Sequence, residues 1–205
     1  MRLVFLLVLF LSNGILRSQN ADIDWLQATN VHRNQNLDPT LSAITNSASV
    51  VSMICPASVF GFGFITKDSL IKRKGFYIVG SMAISASTTL AMKYSINRDR
   101  PFKTYNFIDK QTDGGTPSFP SGHTSNAFAT ATAMTFAFPK WYVAAPAFAW
   151  ASAVGYSRMH LGVHYPSDVI VGAAVGAGSA WLGHWLNQRL FQGKRIHEKL
   201  PQFFH

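Results

Sequence analysis

The chain has 205 residues, of which 48% are apolar and 13% are charged, and its formal net charge is +9. The charged fraction is well below the roughly 25% usual in soluble domains, and the length favours one domain with a short preceding segment. The single cysteine, Cys55, excludes an intrachain disulfide and a thiolate metal site. The cations are scattered along the chain, which argues against binding to nucleic acid and favours binding to a membrane surface or to an anionic substrate.

Residues 1–18 have the pattern of a secretory signal peptide. Arg2 is followed by an apolar run over residues 3–11 and then by polar residues. At about 1.5 Å per residue, that run is too short to cross a hydrocarbon core of about 30 Å. We therefore predict a signal peptide over 1–18, with an uncleaved N-terminal anchor as the alternative, and one domain over 19–205.

A polar segment over residues 20–38 comes next, in which Trp25, Leu26 and Val31 are spaced like a short surface helix. Five stretches nearly free of charge follow, and their Ala, Gly, Ser and Thr content is typical of helices that approach one another closely. Small residues of this kind recur in the last stretch at Gly172, Ala173, Gly176 and Gly178. The five stretches cover residues 39–66, 75–92, 124–139, 141–157 and 169–188. The sequence thus predicts an all-α fold, a single bundle of about five to six helices.

The positions of the basic residues favour a membrane-spanning bundle. If the five stretches cross alternately after a cleaved signal, the inward-facing loops hold most of the clustered cations, as expected on the cytoplasmic side. These cations are Lys67, Lys72, Arg73, Lys74, Lys140, Arg189, Lys194, Arg195 and Lys199. The alternative is a soluble bundle whose basic loops have no sidedness. The same threading brings residues 93–122, residues 157–168 and the polar segment at the start together on the extracytoplasmic face.

Three groups of residues on that face carry chemistry. Lys93 and Arg100 are seven residues apart, nearly two helical turns, so both can face one way, and Pro101 ends the helical segment. Alone, they would be basic anchors at a membrane edge.

In the second group Ser121 can cap a helix, Gly122 lets a ligand approach the backbone, and His123 lies in the first turn. Free N–H groups and the helix dipole favour an anion there, although an ordinary capped helix has the same pattern.

The third group adds Arg158, His164 and Asp168. An Asp four residues after a His can bond one imidazole nitrogen and leave the other free to attack, although Asp168 could equally cap a helix. His160 and His164 stand at metal-ligand spacing, but no HExxH pattern or third ligand accompanies them. Three cations, a helix start, two histidines and a carboxylate together indicate phosphoryl chemistry, in which several donors must stabilise the phosphoryl oxygens.

The three groups resemble the three-part signature of the phosphatidic acid phosphatase type 2 superfamily, which includes lipid phosphate phosphatases, bacterial non-specific acid phosphatases and vanadium haloperoxidases. All eleven defined positions match in order, from Lys93 to Asp168. The matching segments are Lys93-x6-Arg100-Pro101, Pro120-Ser121-Gly122-His123 and Ser157-Arg158-x5-His164-x3-Asp168.

The resemblance implies a role for each position. His164 would be the nucleophile that forms a phosphohistidine, Asp168 would orient it, and His123 would protonate the leaving oxygen. The phosphoryl oxygens would be held by Lys93, Arg100, Ser121, the Gly122 backbone N–H and Arg158. Neither a metal nor another cofactor would be needed.

The function expected from this resemblance is hydrolysis of a lipid phosphate or pyrophosphate at the extracytoplasmic face of a bacterial cell membrane. Phosphatidic acid, undecaprenyl pyrophosphate, phosphatidylglycerol phosphate and lipid A are substrates of the family. A soluble periplasmic acid phosphatase, a vanadium haloperoxidase and a non-enzymatic membrane scaffold are the alternatives. The expected partners are the membrane and a phosphorylated lipid substrate, with no nucleic acid.

Overall fold

A computed structural model describes residues 21–115 and 117–191, and all the regular structure in those ranges is helical. The predicted all-α bundle is confirmed. The predicted signal peptide and most of the basic C-terminal tail lie outside the described residues. In chain order, the elements are α1 (21–30), a 3₁₀ helix (Gln35–Leu37), α2 (Asp38–Ile65), α3 (Ser69–Ile96), α4 (Pro101–Thr104), α5 (Gly122–Ala137), α6 (Trp141–His160) and α7 (Pro166–Phe191).

Helix α5 is the centre of the bundle and contacts α2, α3, α6 and α7. Ten of its 16 residues are buried, and all ten are Ala, Ser or Thr, which allow neighbouring helices to come close. From α7, Gly172 and Gly176 face α5 so closely that a Cβ on either would collide with α5 backbone, whereas Gly178 faces open space. The predicted close approach is therefore confirmed at two of these three glycines.

Three of the described helical segments are long and apolar enough to cross a membrane: Gln35–Ile65, Ser69–Thr104 and Pro166–Leu190. They correspond to the predicted stretches 39–66, 75–92 and 169–188. The other two stretches fold as α5 and α6, and neither meets the same criterion; α5 spans only about 24 Å. Apolar side chains on the outside, such as Met53, Ile65 and Leu190, are more than 70% exposed. A lipid environment explains this exposure, and the soluble alternative does not.

The two ends of the bundle carry different residues. At one end, the α2–α3 turn and the α5–α6 turn meet, with Lys74 Nζ 4.8 Å from the centroid of the Phe138 ring. We name this the basic end, after Lys67, Lys72, Arg73, Lys74 and Lys140. At the opposite end, the C-termini of α3 and α6 meet the N-termini of α5 and α7. All the predicted site residues lie there, and we name it the site end.

Helix α1 differs from the predicted surface helix because one face of it is buried. Trp25 and Val31 are exposed as expected, but Leu26 and Asn30 are completely buried. The amide of Asn30 donates to the carbonyl oxygens of Asp109 (2.9 Å) and His160 (2.8 Å), and its own oxygen accepts from the Asp109 N–H. Helix α1 therefore packs on the site end.

Candidate active site

Lys93 and Arg100 reach the same region although α3 ends between them, so the two helical turns expected between these residues do not form. Helix α3 ends at Ile96, and Asn97 caps it in the left-handed region at φ 49°. Arg100 is extended, as expected before proline, and Pro101 begins α4. The ammonium of Lys93 donates to the carbonyl oxygens of Pro117 (2.6 Å) and Ser118 (3.5 Å), which fastens the loop before α5.

The buried guanidinium of Arg100 contacts the loop between α6 and α7. Its Nη1 donates to the Val163 carbonyl oxygen at 2.8 Å and lies 3.2 Å from Nε2 of His164. Only 6% of Arg100 is exposed. One predicted phosphate-binding cation is thus in contact with the predicted nucleophile.

The start of α5 contributes Ser121 and Gly122, as predicted, but with a different capping arrangement. Ser121 occupies the cap position without a side-chain cap bond; its hydroxyl accepts from Thr124 Oγ1 at 2.9 Å. Its N–H donates to the Asp168 carbonyl oxygen at 3.0 Å, so the Ser121 hydroxyl proton, not this N–H, is the group available to an anion. A Cβ on Gly122 would lie in ordinary van der Waals contact with Lys93 Cε at 3.9 Å, so this turn adjoins Lys93.

His123 lies in the first turn of α5 and is partly exposed. Burial lowers its pKa to about 4, with further lowering by the positive charges of Arg158, Arg100 and Lys93. All three cations are therefore close enough to act on the same imidazole. The structure therefore brings the three predicted cations and His123 together.

Arg158, near the end of α6, is 2% exposed and holds two elements with its terminal nitrogens. Nη1 donates to Thr45 Oγ1 on α2 at 2.7 Å, and Nη2 donates to the Asp113 carbonyl oxygen at 3.2 Å. Its buried Nε–H has no hydrogen-bond partner among residues 21–115 and 117–191. Buried donors are nearly always paired, so this N–H indicates a place for an anionic ligand.

His164 and Asp168 form the predicted histidine–carboxylate pair. Nδ1 of His164 lies 3.3 Å from Oδ2 of Asp168, and both residues are buried. Burial lowers the pKa of His164 to about 3 against the opposing effect of Asp168, so the imidazole is neutral at pH 7. With the proton on Nδ1, the lone pair is on Nε2, which faces Arg100.

Asp168 also caps α7, so this residue both contacts the His164 imidazole and caps a helix, the two alternatives that its sequence position offered. The residue before the helix is Tyr165, and its N–H donates to Asp168 Oδ2 at 3.0 Å, as in a capping box. One carboxylate oxygen therefore fixes both the start of α7 and the imidazole of His164.

Sequence reasoning missed three polar residues that contact this pair or its partners. Arg98 Nη1 donates to Asp168 Oδ1 at 2.9 Å, and the Ser118 hydroxyl donates to Asp168 Oδ2. Asp22 on α1 pairs with Arg98 at 2.7 Å. Arg98 lies inside the first motif and Ser118 lies two residues before the second, and this proximity was a signal for both. Asp22 is 146 positions from Asp168 in the numbering, and no local pattern marks it.

His160 and His164 do not share a ligand position. His160 Nε2 lies 2.8 Å from Asp38 Oδ1, in the network where Arg33 also pairs with Asp38. His164 contacts Asp168 and Arg100 instead. The spacing of the two histidines thus reflects two separate hydrogen-bonding roles.

Known proteins resemble this chain in sequence and in fold. Lipid A 1-phosphatase of Porphyromonas gingivalis is 34% identical over 155 residues, which cover 73% of this chain and 32% of that protein. This chain therefore spans about a third of that relative's length. Undecaprenyl-diphosphatase of Sulfolobus acidocaldarius is 33% identical over 121 residues, 54% of each chain. The transmembrane PAP2-type phosphatidylglycerolphosphate phosphatase of Bacillus subtilis matches with a TM-score of 0.71 and 25% identity over 95% of this chain and 96% of that one.

The transmembrane neighbour and the three spanning segments together indicate a membrane protein. The family model of the PAP2 superfamily matches residues 74–192, more than half of the chain, and this range contains every predicted site residue. The chain belongs to the PAP2 superfamily.

Proposed function

We propose that this protein is a membrane phosphatase that hydrolyses a lipid phosphate or pyrophosphate through a phosphohistidine intermediate. The observation that carries the proposal is the convergence of Lys93, Arg100 and Arg158 around two histidines, of which one is oriented by Asp168. Three buried cations near one carboxylate leave excess positive charge, which a phosphoryl dianion would compensate. The unpaired Nε–H of Arg158 lies among them.

The first step transfers the phosphoryl group to the enzyme. Nε2 of His164 attacks phosphorus; a P–N bond forms while the bond to the leaving oxygen breaks. His123 donates its proton to the leaving oxygen, so that an alcohol or a lipid monophosphate departs. The three cations, the Ser121 hydroxyl and the Gly122 N–H stabilise the charge on the equatorial oxygens. Such preorganised donors are worth roughly 3–4 kcal/mol each.

The second step returns the enzyme to its starting state. His123, now neutral, accepts a proton from a water that attacks the phosphohistidine; a P–O bond forms and the P–N bond breaks. Inorganic phosphate leaves, and His164 recovers its lone pair on Nε2. Asp168 keeps the proton on Nδ1 throughout both steps by holding one tautomer.

The membrane supports a lipid as the carrier of the phosphate. The named relatives and structural neighbour act on lipid A, undecaprenyl diphosphate and phosphatidylglycerolphosphate, which share the phosphoryl group and a long apolar part. The site residues contact the phosphoryl group, so we propose the shared chemistry and no single lipid. The site end faces the extracytoplasmic side, because the cations of the basic end favour the cytoplasmic side.

Phosphate release by the purified full chain in detergent tests the proposal. The panel comprises dioctanoyl phosphatidic acid, a prenyl pyrophosphate, phosphatidylglycerol phosphate, lipid A and a water-soluble phosphate ester. We expect release from at least one lipid, a loss of about 10⁴-fold or more in His164→Ala, and no loss in His32→Ala, which changes an exposed histidine. Absence of release from every lipid by wild-type protein would refute the proposal.

Two further measurements separate the alternatives from the phosphatase. Halide oxidation in the presence of vanadate, without phosphate release, would identify a haloperoxidase. A scaffold would neither release phosphate nor bind orthovanadate. Activity that is lost in EDTA and restored by a divalent ion would contradict the metal-free mechanism.

A further inference from the structure

Helix α1 contacts both ends of the loop that carries His164. At its C-terminal end, Asn30 Nδ2 donates to the carbonyl oxygen of His160, the last residue of α6. At its N-terminal end, Asp22 Oδ1 accepts from the N–H of Ser167, in the first turn of α7, at 2.8 Å. Asp22 and Asn30 are eight residues apart, about 12 Å along a helix. The helix therefore bridges the loop over residues 161–165.

Asp22 makes further contacts at the α7 end of that loop. Its Oδ2 accepts from the Ser167 hydroxyl at 2.5 Å and from Arg98 Nη2 at 2.7 Å. Asp22 is 8% exposed, and the guanidinium of Arg98 lies 3.7 Å from the centroid of the Tyr165 ring. Arg98 is thus held by a carboxylate and by the face of an aromatic ring.

Arg98 transmits this anchoring to the histidine–carboxylate pair. Its Nη1 donates to Asp168 Oδ1, and the other oxygen, Oδ2, receives Tyr165 N–H, the Ser118 hydroxyl and His164 Nδ1. The carboxylate torsion of an Asp is broad when nothing holds it. With Oδ1 fastened by Arg98, Oδ2 remains directed at His164.

We propose that Asp22 and Arg98 are positioning residues for the nucleophile: Asp22 on α1 fixes Arg98, which fixes the Asp168 carboxylate that orients His164. This inference rests on the proposed function. It makes α1, which precedes the residues matched by the family model, part of the active site. Neither residue is among the groups proposed to bind the phosphoryl group, so we expect both to act on the rate of the chemical step and not on substrate binding.

Steady-state hydrolysis of dioctanoyl phosphatidic acid by the full chain tests the inference. Asp22→Asn keeps the shape of the side chain and removes the charge that holds Arg98. Asp24→Asn is the matched control, because it makes the same change on the exposed face of the same helix. We expect Asp22→Asn to lower kcat about tenfold with KM changed less than about twofold, and Asp24→Asn to match wild type.

A double-mutant cycle distinguishes positioning from a general structural effect. We expect Arg98→Gln to lower kcat about 100-fold, and Asp22→Asn to have little further effect when Arg98→Gln is already present. Lys103→Gln is the control for the loss of charge, because Lys103 is exposed and lies five residues after Arg98, in α4. Independent, multiplicative losses from the two variants would overturn the inference, because Asp22 would then not act through Arg98.

Protein stability is measured alongside activity. Should Asp22→Asn not fold, Ser167→Ala removes the hydroxyl that bonds both Asp22 and Arg98 and leaves the Ser167 N–H bond in place. We expect this variant to lower kcat about threefold at an unchanged KM. An active wild type whose Asp22→Asn or Ser167→Ala variant keeps full kcat would refute the positioning role alone. If the wild type does not hydrolyse dioctanoyl phosphatidic acid, the variants are assayed on whichever lipid of the panel it does hydrolyse, and a wild type that releases phosphate from no lipid of the panel would refute the proposed function itself.

Discussion

Both ends of the bundle carry clustered cations, but the two ends treat them differently. At the basic end, Lys67 and Lys140 are exposed, and the ammonium groups of Lys72 and Lys74 lie over the rings of Phe64 and Phe138 at 4.7 and 4.8 Å. At the site end, Lys93, Arg100 and Arg158 are at most 7% exposed. The same residue types are thus solvated or ring-stacked at one end and buried together at the other.

The difference indicates which end is built around an anion. Exposed cations need no partner and interact with water or lipid headgroups, whereas buried like charges repel and are retained only with compensation. At the site end, backbone carbonyl oxygens and Thr45 satisfy part of the donors. Burial lowers the pKa of His123, and the remaining positive charge lowers it further. An anion bound at the site end therefore compensates buried positive charge, whereas an anion bound at the basic end does not.

The largest contrast between the ends is expected for the removal of one cation. Arg158→Gln should lower kcat/KM about 10³-fold, which is ~4 kcal/mol, because a buried donor to the phosphoryl oxygens is lost. Lys140→Gln, the same change of charge at the basic end, should leave kcat/KM within about twofold. Phosphate release from dioctanoyl phosphatidic acid measures both, with circular dichroism to verify folding. Equal losses of kcat/KM in the two variants would contradict the proposed difference between the site end and the basic end.

Anion binding should stabilise the protein through the site end. Orthovanadate at 100 times its Kd should add about 2.7 kcal/mol to the free energy of unfolding, since it binds the folded state only. Thermal melting in detergent measures this as a rise in Tm. Lys72→Gln should keep the rise and Arg100→Gln should lose it. A rise that survives Arg100→Gln would place the anion elsewhere.

The middle of the bundle, which holds the two ends in register, depends on glycine at one face of α7. A Cβ on Gly176 would lie 2.8 Å from Ala129 N and collide with the Ser125 carbonyl oxygen, so Gly176→Ala should lower the free energy of unfolding by about 1–3 kcal/mol. Gly178→Ala is the matched control, because nothing lies within 4 Å of its Cβ. We expect it to be neutral or slightly stabilising. Thermal melting compares the two, and equal Tm values would contradict this packing.

The sequence predicted the helices and which motif residues lie together at the site end, because both depend on local patterns. Uncharged stretches rich in small residues predicted α2, α3, α5, α6 and α7 to within a few residues at most ends. The larger error was at α3, which begins at Ser69 and not at residue 75, because Asp68 caps it by accepting from Leu70 and Ile71. A basic run therefore continued the helix where its charge had suggested a loop.

The parts that the sequence did not predict depend on contacts distant in the chain. The two turns of helix expected between Lys93 and Arg100 do not form, because the left-handed Asn97 ends α3. The burial of α1 follows from Asn30 and Asp22, whose partners are 76 to 145 positions away. Polar residues of this kind have no periodic signal, so the sequence placed them on the surface.

The smallest effect concerns the pH dependence that the buried cations impose on His123. Its pKa is about 4 in the free enzyme, and a bound phosphoryl anion opposes the cations and raises the pKa. The acid must be protonated, so activity falls as pH rises through that pKa. The alkaline limb of kcat reports the enzyme–substrate complex, and it should therefore lie at least one pH unit above the alkaline limb of kcat/KM, which reports the free enzyme. One pH unit corresponds to about 1.4 kcal/mol of differential interaction between the two protonation states.

The acidic side of the profile reports His164, whose pKa of about 3 keeps the nucleophile neutral down to about pH 4. Lowering the pH from 7 to 5 should therefore not reduce kcat. Profiles of kcat and kcat/KM from about pH 2 to about pH 9 test the acidic and the alkaline limbs, with the ionisation of the substrate phosphate titrated separately. His123→Gln should lower kcat and abolish the alkaline limb. If the two limbs coincide near pH 6.5, the cations of the site end do not act on His123, and the contrast with the basic end loses its chemical consequence.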